Sequence, residues 1–343
     1  MLLAVLLASA PLLTGCASLE YLSQAAQGQR DLAFRRRPIE EATKDPRVAE
    51  RTRRLLAEIP SIKAFGERRG LSPTPNYRTY VGLDRPYVVW VVSACEPLRF
   101  REKTWSFPIV GKVPYLGFFA KRDAEKEAEK WRRQGFDVDV RGSVAYSTLG
   151  FFEDSVLSSM IHPGEDALGA LANTVLHESL HATLYVNGQT PFNESVASFV
   201  GDELARAYLD ERLGPGSPER AAYDESEAEG LARSARLHAA YKQLEELYAT
   251  SRPMDEMLAE KNFVLASLRQ ELRYRRPLTN ATLAQFKSYE GGDVPLRRLF
   301  AACDRDVRRF VAALRPLKGR PFAKANDKDL ARYLDPLTAA GCR

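Results

Sequence analysis

Histidine and cysteine are scarce in this sequence, with four residues of each among 343. The cysteines are too far apart for a structural zinc site, which uses closely spaced pairs. An oxidising compartment would permit a disulfide, and Cys303 with Cys342 is the conceivable pair, although sequence alone does not fix the connectivity. With so little histidine present, a cluster of histidines is an informative feature.

A large excess of one charge is also absent. The 50 Lys and Arg residues are interspersed with 45 Asp and Glu residues, which gives a net charge of +5. This balance does not indicate a nucleic-acid-binding protein, and we expect no nucleic-acid partner. The sequence does not indicate an oligomeric state. A chain of this length with 45% hydrophobic residues can bury a large core.

Long hydrophobic runs are absent after the first sixteen residues, MLLAVLLASAPLLTGC. This run is too short for a lasting transmembrane helix and ends in small residues, as a signal peptide does. The letters LTGC at 13–16 have the form of a bacterial lipobox, in which the cysteine is lipidated. We therefore expect a signal peptide over 1–15 and a membrane anchor through lipid on Cys16. Because Ala17 follows instead of Asp, the expected location is the cell envelope, at the outer membrane facing the periplasm.

The hydrophobic pattern predicts an α+β, mainly helical fold. Residues 19–70 have a charged helical pattern, with breaks expected at Pro38, Pro46 and Pro60. The run RPYVVWVVSAC predicts a buried strand, and proline and glycine turns follow it. Helices are predicted at 165–186, 191–213, 218–249, 253–276 and within 279–317. We expect residues 16–343 to form a single domain, with a small β-containing part at about 76–151 packed on a helical catalytic part at about 152–343.

The most informative motif is HESLH at 177–181, an HExxH pattern that contains two of the four histidines. Residues four apart on an α-helix lie one turn apart on the same face, so His177 and His181 can reach one Zn²⁺. Glu178 lies beside the open coordination position. There it can act as general base toward a zinc-activated water and pass the proton to a leaving amine. The motif therefore predicts one Zn²⁺ per chain.

A catalytic zinc of this type needs a third protein ligand. Asn187 and Gly188 predict a turn, after which Thr190 can cap a second helix and Pro191 suits its first position. Glu194 would then point back toward the histidines from the first turn, and it is the preferred third ligand. The alternative third ligands are His162, Asp202 and Glu203. The candidates for orienting the imidazoles are Asn193, Ser198 and Asp202.

Catalysis also requires a donor for the negative charge that develops on the substrate oxygen. Tyr146 is the first candidate because it precedes the zinc helix, and Tyr185 and Tyr289 are the alternatives. For each tyrosine, packing in the core is the competing interpretation. The segment 143–149 is a candidate edge strand along which an extended peptide could add, or else an ordinary interior strand.

Further segments follow the lipobox in a fixed order. They are RRPI, YRTY, RPYVVW, KTWSFPIVGKVPYLGFF, AYSTLGFF, HESLHATLYVNGQTPFNESVASFVG and LTNATLAQFKSY. In this order they resemble the putative aminopeptidase family of bacterial lipoproteins. FNESVASF is also similar to the Asn-Glu-x-x-Ala segment of gluzincin metallopeptidases, in which a glutamate on the following helix is the third zinc ligand. The resemblance implies a zincin-like fold and a zinc-dependent peptidase, expected to be an aminopeptidase, that acts on peptide or protein substrates.

Two features depart from the gluzincin pattern. Fewer residues separate His181 from Glu194 than in the best-known members, so the two helices must be joined by a tight turn. The Gly-x-Met-x-Asn segment that helps to grip a free amine is absent. The alternative function is therefore a non-catalytic envelope lipoprotein that binds a protein partner and has a structural or relic zinc site. The presence of Glu178 favours the enzyme, because only that residue has a purely chemical role.

Overall fold

The computed structural model describes residues 19–107, 111–145, 153–287, 293–327 and 329–342. The chain is mainly helical and has small sheets, in agreement with the α+β class. The helices are α1 (Leu19–Arg35), α2 (Ile39–Ala42), α3 (Glu50–Arg68), α4 (Lys121–Arg132), α5 (Ala167–Thr183), α6 (Thr190–Leu213), α7 (Pro218–Tyr248), α8 (Met254–Glu271), α9 (Asn280–Ala284), α10 (Asp293–Ala302), α11 (Val307–Leu314) and α12 (Ala331–Ala340). The strands are β1 (Arg37–Pro38), β2 (Thr79–Val81), β3 (Val89–Cys95), β4 (Trp105–Phe107), β5 (Gly111–Val113), β6 (Tyr115–Phe118), β7 (Asp137–Ser143) and β8 (Val156–Leu157).

The strand predicted from RPYVVWVVSAC is β3, the centre of the antiparallel sheet β6-β3-β7. Helix α4 packs on this sheet, and the ring of Trp131 fills the space against Trp105 at 5.9 Å between centroids. Strands β4 and β5 form a hairpin, and β1, β2 and β8 form a third small sheet. Of the predicted edge segment 143–149, Ser143 ends β7, whereas residues 146–149 lie outside the described part of the chain.

The largest hydrophobic core lies between α3, α5, α6 and the C-terminal helices α10–α12. Helices α5 and α6 run antiparallel and pack closely where Gly201 faces α5. A Cβ atom on Gly201 would lie 3.0 Å from Oδ1 of Asn173 and 3.3 Å from Cβ of His177. Glycine at this position therefore allows the two helices to approach each other next to the HExxH motif.

Two local predictions are wrong. Pro60 lies inside α3 and does not break it. Its neighbours Ile59 and Ile62 are almost fully buried, and this packing outweighs the hydrogen bond that proline removes. Helix α6 begins at Thr190, and its N-cap is Gln189, which makes no side-chain capping bond. Thr190 is thus the first helical residue and not the cap.

A disulfide joins Cys303 to Cys342, with their Cα atoms 4.9 Å apart. It is the pairing that the sequence left as conceivable, and it ties the end of the chain to the end of α10. Cys95 is a buried free thiol, and burial raises its pKa to about 12. In the part of the chain that the structure describes, no helix combines the length and apolar character needed to cross a membrane.

Candidate metal centre

Two histidine rings stand next to each other on α5, the helix that carries the HExxH motif. The apolar residues of this helix, including Leu176 and Leu180, lie in the core. The Nε2 atoms of His177 and His181 are 3.1 Å apart, and each side chain is 19% exposed. The helix therefore holds both imidazoles one turn apart at the boundary between core and solvent.

The carboxylate of Glu194 on α6 faces the same two rings. Its Oε2 atom lies 3.5 Å from Nε2 of His177, and its Oε1 atom lies 3.6 Å from Nε2 of His181. The tight turn expected before Glu194 is closed by Asn193, whose Oδ1 accepts from the amide of Val186 at 2.8 Å. The Nδ2 atom of Asn193 donates to the carbonyl of Val186 at 2.9 Å. The structure therefore brings together the three side chains predicted as zinc ligands.

The spacing of these donor atoms suits a small divalent cation. Bonds of about 2.0–2.2 Å from a tetrahedral Zn²⁺ place its nitrogen and oxygen ligands roughly 3.3–3.6 Å apart. The separations from the Nε2 atoms to the Glu194 oxygens, 3.5 and 3.6 Å, lie within this range, and the separation of 3.1 Å between the two Nε2 atoms is slightly shorter. Two imidazoles and one carboxylate are also the donor set of catalytic zinc sites. The residues present thus fit the metal that the motif implies.

Glu178 approaches this centre from the side. Potential ligand atoms of His177, Glu178 and His181 all lie within 4.8 Å of one another. Successive helical residues point about 100° apart, so Glu178 points to one side of the face that the two histidines share. Burial raises the pKa of Glu178, with the nearby charges of Asp154 and Glu194 adding to the effect and that of His177 opposing it. This environment suits a base better than a permanently charged ligand.

The protonation states of the His181 ring and the Glu194 carboxylate suit metal binding. Burial, followed by the charge of His177, lowers the pKa of His181, although Glu194 opposes both. The Nδ1 atom of His181 is buried and has no hydrogen-bond partner in the described part of the chain. Contact with His177 lowers the pKa of Glu194. A neutral imidazole beside an ionised carboxylate is what a divalent cation requires.

The alternative third ligands make their contacts elsewhere. An Asp202 oxygen accepts from Nδ2 of Asn173 at 2.5 Å and from the Tyr223 hydroxyl at 3.2 Å. Glu203 lies 3.8 Å from Arg206. Nδ1 of His162 lies 3.7 Å from Asp166 and accepts from the amide of Gly164. Of the three residues proposed to orient the imidazoles, Asn193 holds the turn, Asp202 bonds to α5 one turn before His177, and Ser198 is exposed.

Of the three candidate tyrosines, Tyr185 is the one that the structure describes. It follows the end of α5, is 45% exposed, and its ring centroid lies 6.2 Å from that of His181. Tyr146 and Tyr289 lie outside the described residues. Tyr185 therefore borders the centre on its solvent side.

Sequence reasoning missed two residues that interact electrostatically with Glu178, namely Tyr77 and Asp154. Tyr77 donates its amide to the Asp154 carbonyl at 2.7 Å, and the Asp154 amide donates to Oδ1 of Asn76 at 3.1 Å. Tyr77 is buried and has a φ of 61°, which is rare for an aromatic residue. Burial raises its pKa, and the charges of Glu178 and Asp154 add to this effect, so its hydroxyl stays protonated. Tyr77 is the first residue of the YRTY segment. The resemblance of that segment to the family does not by itself predict an interaction with Glu178.

The comparison with protein families identifies one match. Residues 20–328 match the profile of the family described as "Putative aminopeptidase". The match covers most of the chain, so the chain belongs to that family. No curated protein and no solved structure gives a significant match.

Proposed function

We propose that this member of the putative aminopeptidase family is a zinc-dependent peptidase with a zincin-like fold. The substrate class is peptides or proteins, and removal of N-terminal residues is the expected activity. The observation that carries the proposal is the convergence of His177, His181 and Glu194, whose donor atoms lie 3.1 to 3.6 Å apart. Membership of the putative aminopeptidase family also supports peptidase activity.

Each residue of the centre has one role in the proposed reaction. His177, His181 and Glu194 would hold one Zn²⁺ per chain. When bound, Zn²⁺ acts as a Lewis acid toward water and the peptide carbonyl. Glu178 accepts a proton from the attacking water on its carboxylate oxygen and delivers it to the nitrogen of the leaving amine. The raised pKa of Glu178, caused by burial, makes it a stronger base for this transfer.

The negative charge that develops on the substrate oxygen needs a further donor. Tyr146 is the proposed donor. Tyr185, with its ring 6.2 Å from that of His181, is the alternative among the described residues. Tyr289 is the other alternative. Replacing each of the three tyrosines with phenylalanine separates the assignments, because only loss of the true donor should lower kcat while zinc affinity stays unchanged.

The cell-envelope location is proposed from the lipobox and is supported by one structural feature. A disulfide between Cys303 and Cys342 suits an oxidising compartment such as the periplasm. Lipid on Cys16 would anchor the protein to the outer membrane. Mass spectrometry of the N-terminus of the protein from a bacterial membrane fraction tests this. An acylated Cys16 is expected, and a free N-terminus at another residue would contradict it.

The function itself is tested with purified protein, a zinc assay and a mixture of peptides. We expect one zinc per chain, loss of cleavage when a chelator removes the zinc, and recovery when Zn²⁺ is added back. Mass spectrometry of the digest distinguishes the type of cleavage. Successive loss of N-terminal residues supports an aminopeptidase, internal cuts indicate an endopeptidase, and zinc binding without any cleavage would contradict the proposal.

A further inference from the structure

A segment near the C-terminus binds the turn that connects the two helices of the metal centre. We call residues 322–327 the latch segment. The amide of Asn326 donates to the carbonyl of Gly188 at 2.8 Å, and Oδ1 of Asn326 accepts from the amide of Thr190 at 3.2 Å. Both partners lie between the histidines of α5 and the glutamate of α6. The latch segment therefore contacts the turn that sets the position of Glu194.

Gln189 forms a second connection to the same segment. Its buried side chain donates through Nε2 to the carbonyl of Lys324 at 2.8 Å, and its Oε1 accepts from the amide of Asp327 at 2.9 Å. One side chain thus satisfies a backbone acceptor and a backbone donor of the latch segment. Because Gln189 and Asp327 are buried, breaking the bond between them would leave buried polar groups unpaired.

The latch segment is itself anchored by contacts with Tyr333 of α12 and with α6. The Tyr333 hydroxyl donates to Oδ2 of Asp327 and accepts from the amide of Ala323, both at 2.7 Å. The Tyr333 ring stacks on Phe322 at 4.1 Å, and Phe322 packs edge-on against Phe192 of α6 at 5.5 Å. The segment therefore presents its hydrogen-bonding groups to the turn in a fixed arrangement.

The latch segment supplies a hydrogen-bond acceptor at the start of α6. The first amides of a helix have no partner within the helix, and a side chain at the N-cap usually satisfies one of them. Gln189 at the N-cap makes no such bond, and Asn326 supplies the acceptor for the amide of Thr190 instead. The cap that the sequence predicted at Thr190 therefore comes from a distant part of the chain.

We infer that Asn326 is a positioning residue for the metal ligand Glu194. It fixes the start of α6 at the distance from α5 at which Glu194 reaches both imidazoles. This inference rests on the proposed zinc site. The latch segment lies within the loop that the disulfide between Cys303 and Cys342 closes. The latch segment thus helps to position a ligand of the proposed zinc site, although none of its own residues is a proposed ligand.

The test uses two substitutions of Asn326 in the full chain. Asn326 has a φ of 51°, which glycine adopts freely. Asn326→Gly therefore keeps the backbone and removes the acceptor, whereas Asn326→Asp keeps an acceptor oxygen at the helix N-terminus. Arg305→Gly is the matched control, because Arg305 is exposed and has a φ of 55°. Zinc affinity is measured by competition with a chromophoric chelator, and the melting temperature of the zinc-free protein is measured in parallel.

We expect Asn326→Gly to bind zinc about tenfold more weakly. Removing a group that orients a metal ligand usually weakens metal binding by at least this factor. Asn326→Asp and Arg305→Gly should bind zinc within about twofold of the wild type, since an acceptor oxygen and the latch contacts are retained. Equal zinc affinity in Asn326→Gly and the wild type would overturn the inference, whatever the change in melting temperature. A wild-type protein that binds no zinc would instead contradict the proposed function, so the two failures are distinguishable.

Discussion

Oε1 of Glu194 on α6 lies 3.6 Å from Nε2 of His181 on α5, across the tight turn that joins the two helices. The turn is closed from inside by Asn193, which bonds to Val186, and from outside by Asn326, which bonds to Thr190. The carboxylate of Glu194 and the imidazole of His181 are thereby held next to each other by contacts in which neither side chain takes part. Such preorganisation is what a metal site requires of its protein.

Glu178→Gln should abolish most peptide cleavage while zinc stays bound. The amide has nearly the same shape as the carboxyl group but cannot accept the proton of the attacking water. A general base contributes about 10²–10⁴-fold to the rate, so kcat should fall by that factor. Zinc content and kcat measured on the same sample check this. Near-normal cleavage by Glu178→Gln would assign the base to another residue.

Gly201→Ala should destabilise the protein by about 1–3 kcal/mol, the usual cost of overpacking a core. The added methyl group would lie 3.0 Å from Oδ1 of Asn173 and 3.3 Å from Cβ of His177, and it would push α6 away from α5. Gly230 on α7 provides the matched control, because nothing lies within 4 Å of an added Cβ there. Gly230→Ala should stabilise the protein by about 0.5–1 kcal/mol. Urea denaturation measures the free energy of unfolding of both variants. Equal changes in this free energy would argue against close packing at Gly201.

Loss of the disulfide should lower the free energy of unfolding by about 2–4 kcal/mol. Cys303 and Cys342 are separated by 39 positions in the sequence, and a cross-link across a loop of this size restricts the unfolded chain substantially. Replacing both cysteines with serine and comparing urea denaturation with the oxidised wild type measures the loss. Reductant should destabilise the wild type similarly and leave the double variant unchanged. A double variant as stable as the oxidised wild type would show that the bond does not stabilise the protein.

Acid should weaken the contact between α3 and α6 at Glu58. A hydrogen bond from Arg212 is the main cause that lowers the pKa of Glu58 below its ordinary value of 4.5, and the Tyr208 hydroxyl adds to it. A lowered folded-state pKa stabilises the fold above the ordinary value and loses this contribution as pH falls through the folded-state pKa. The free energy of unfolding should therefore decline below about pH 4.5, and Glu58→Gln should reduce that decline. An unchanged pH dependence in Glu58→Gln would contradict this assignment.

Local patterns in the sequence predicted the helices of the candidate metal centre. The HExxH spacing, the turn at Asn187 and Gly188, and the position of Glu194 depend on residues close in sequence. In a helix, the spacing between two residues determines the relative directions in which their side chains point. The structure accordingly places Glu194 next to both histidines, as the spacing predicted.

Contacts between distant segments were not predictable from one sequence. Thr190 has the character of a helix cap, but Asn326 supplies the capping oxygen, and nothing near Thr190 in the sequence indicates this. Tyr77 bonds to Asp154 and interacts electrostatically with Glu178, and periodicity cannot reveal either relationship. Pro60 is tolerated inside α3 because buried neighbours stabilise the helix, and tertiary packing of this kind overrides local propensity.

A zinc titration of three proteins tests the central claim most directly. The wild type should bind one Zn²⁺ per chain, and Glu194→Gln should lose more affinity than the roughly 10–100-fold expected for a residue outside the ligand set. Glu203→Gln is the matched control, because Glu203 is on the same helix and lies near Arg206, and it should bind zinc like the wild type. Equal affinity in Glu194→Gln and the wild type would contradict the account.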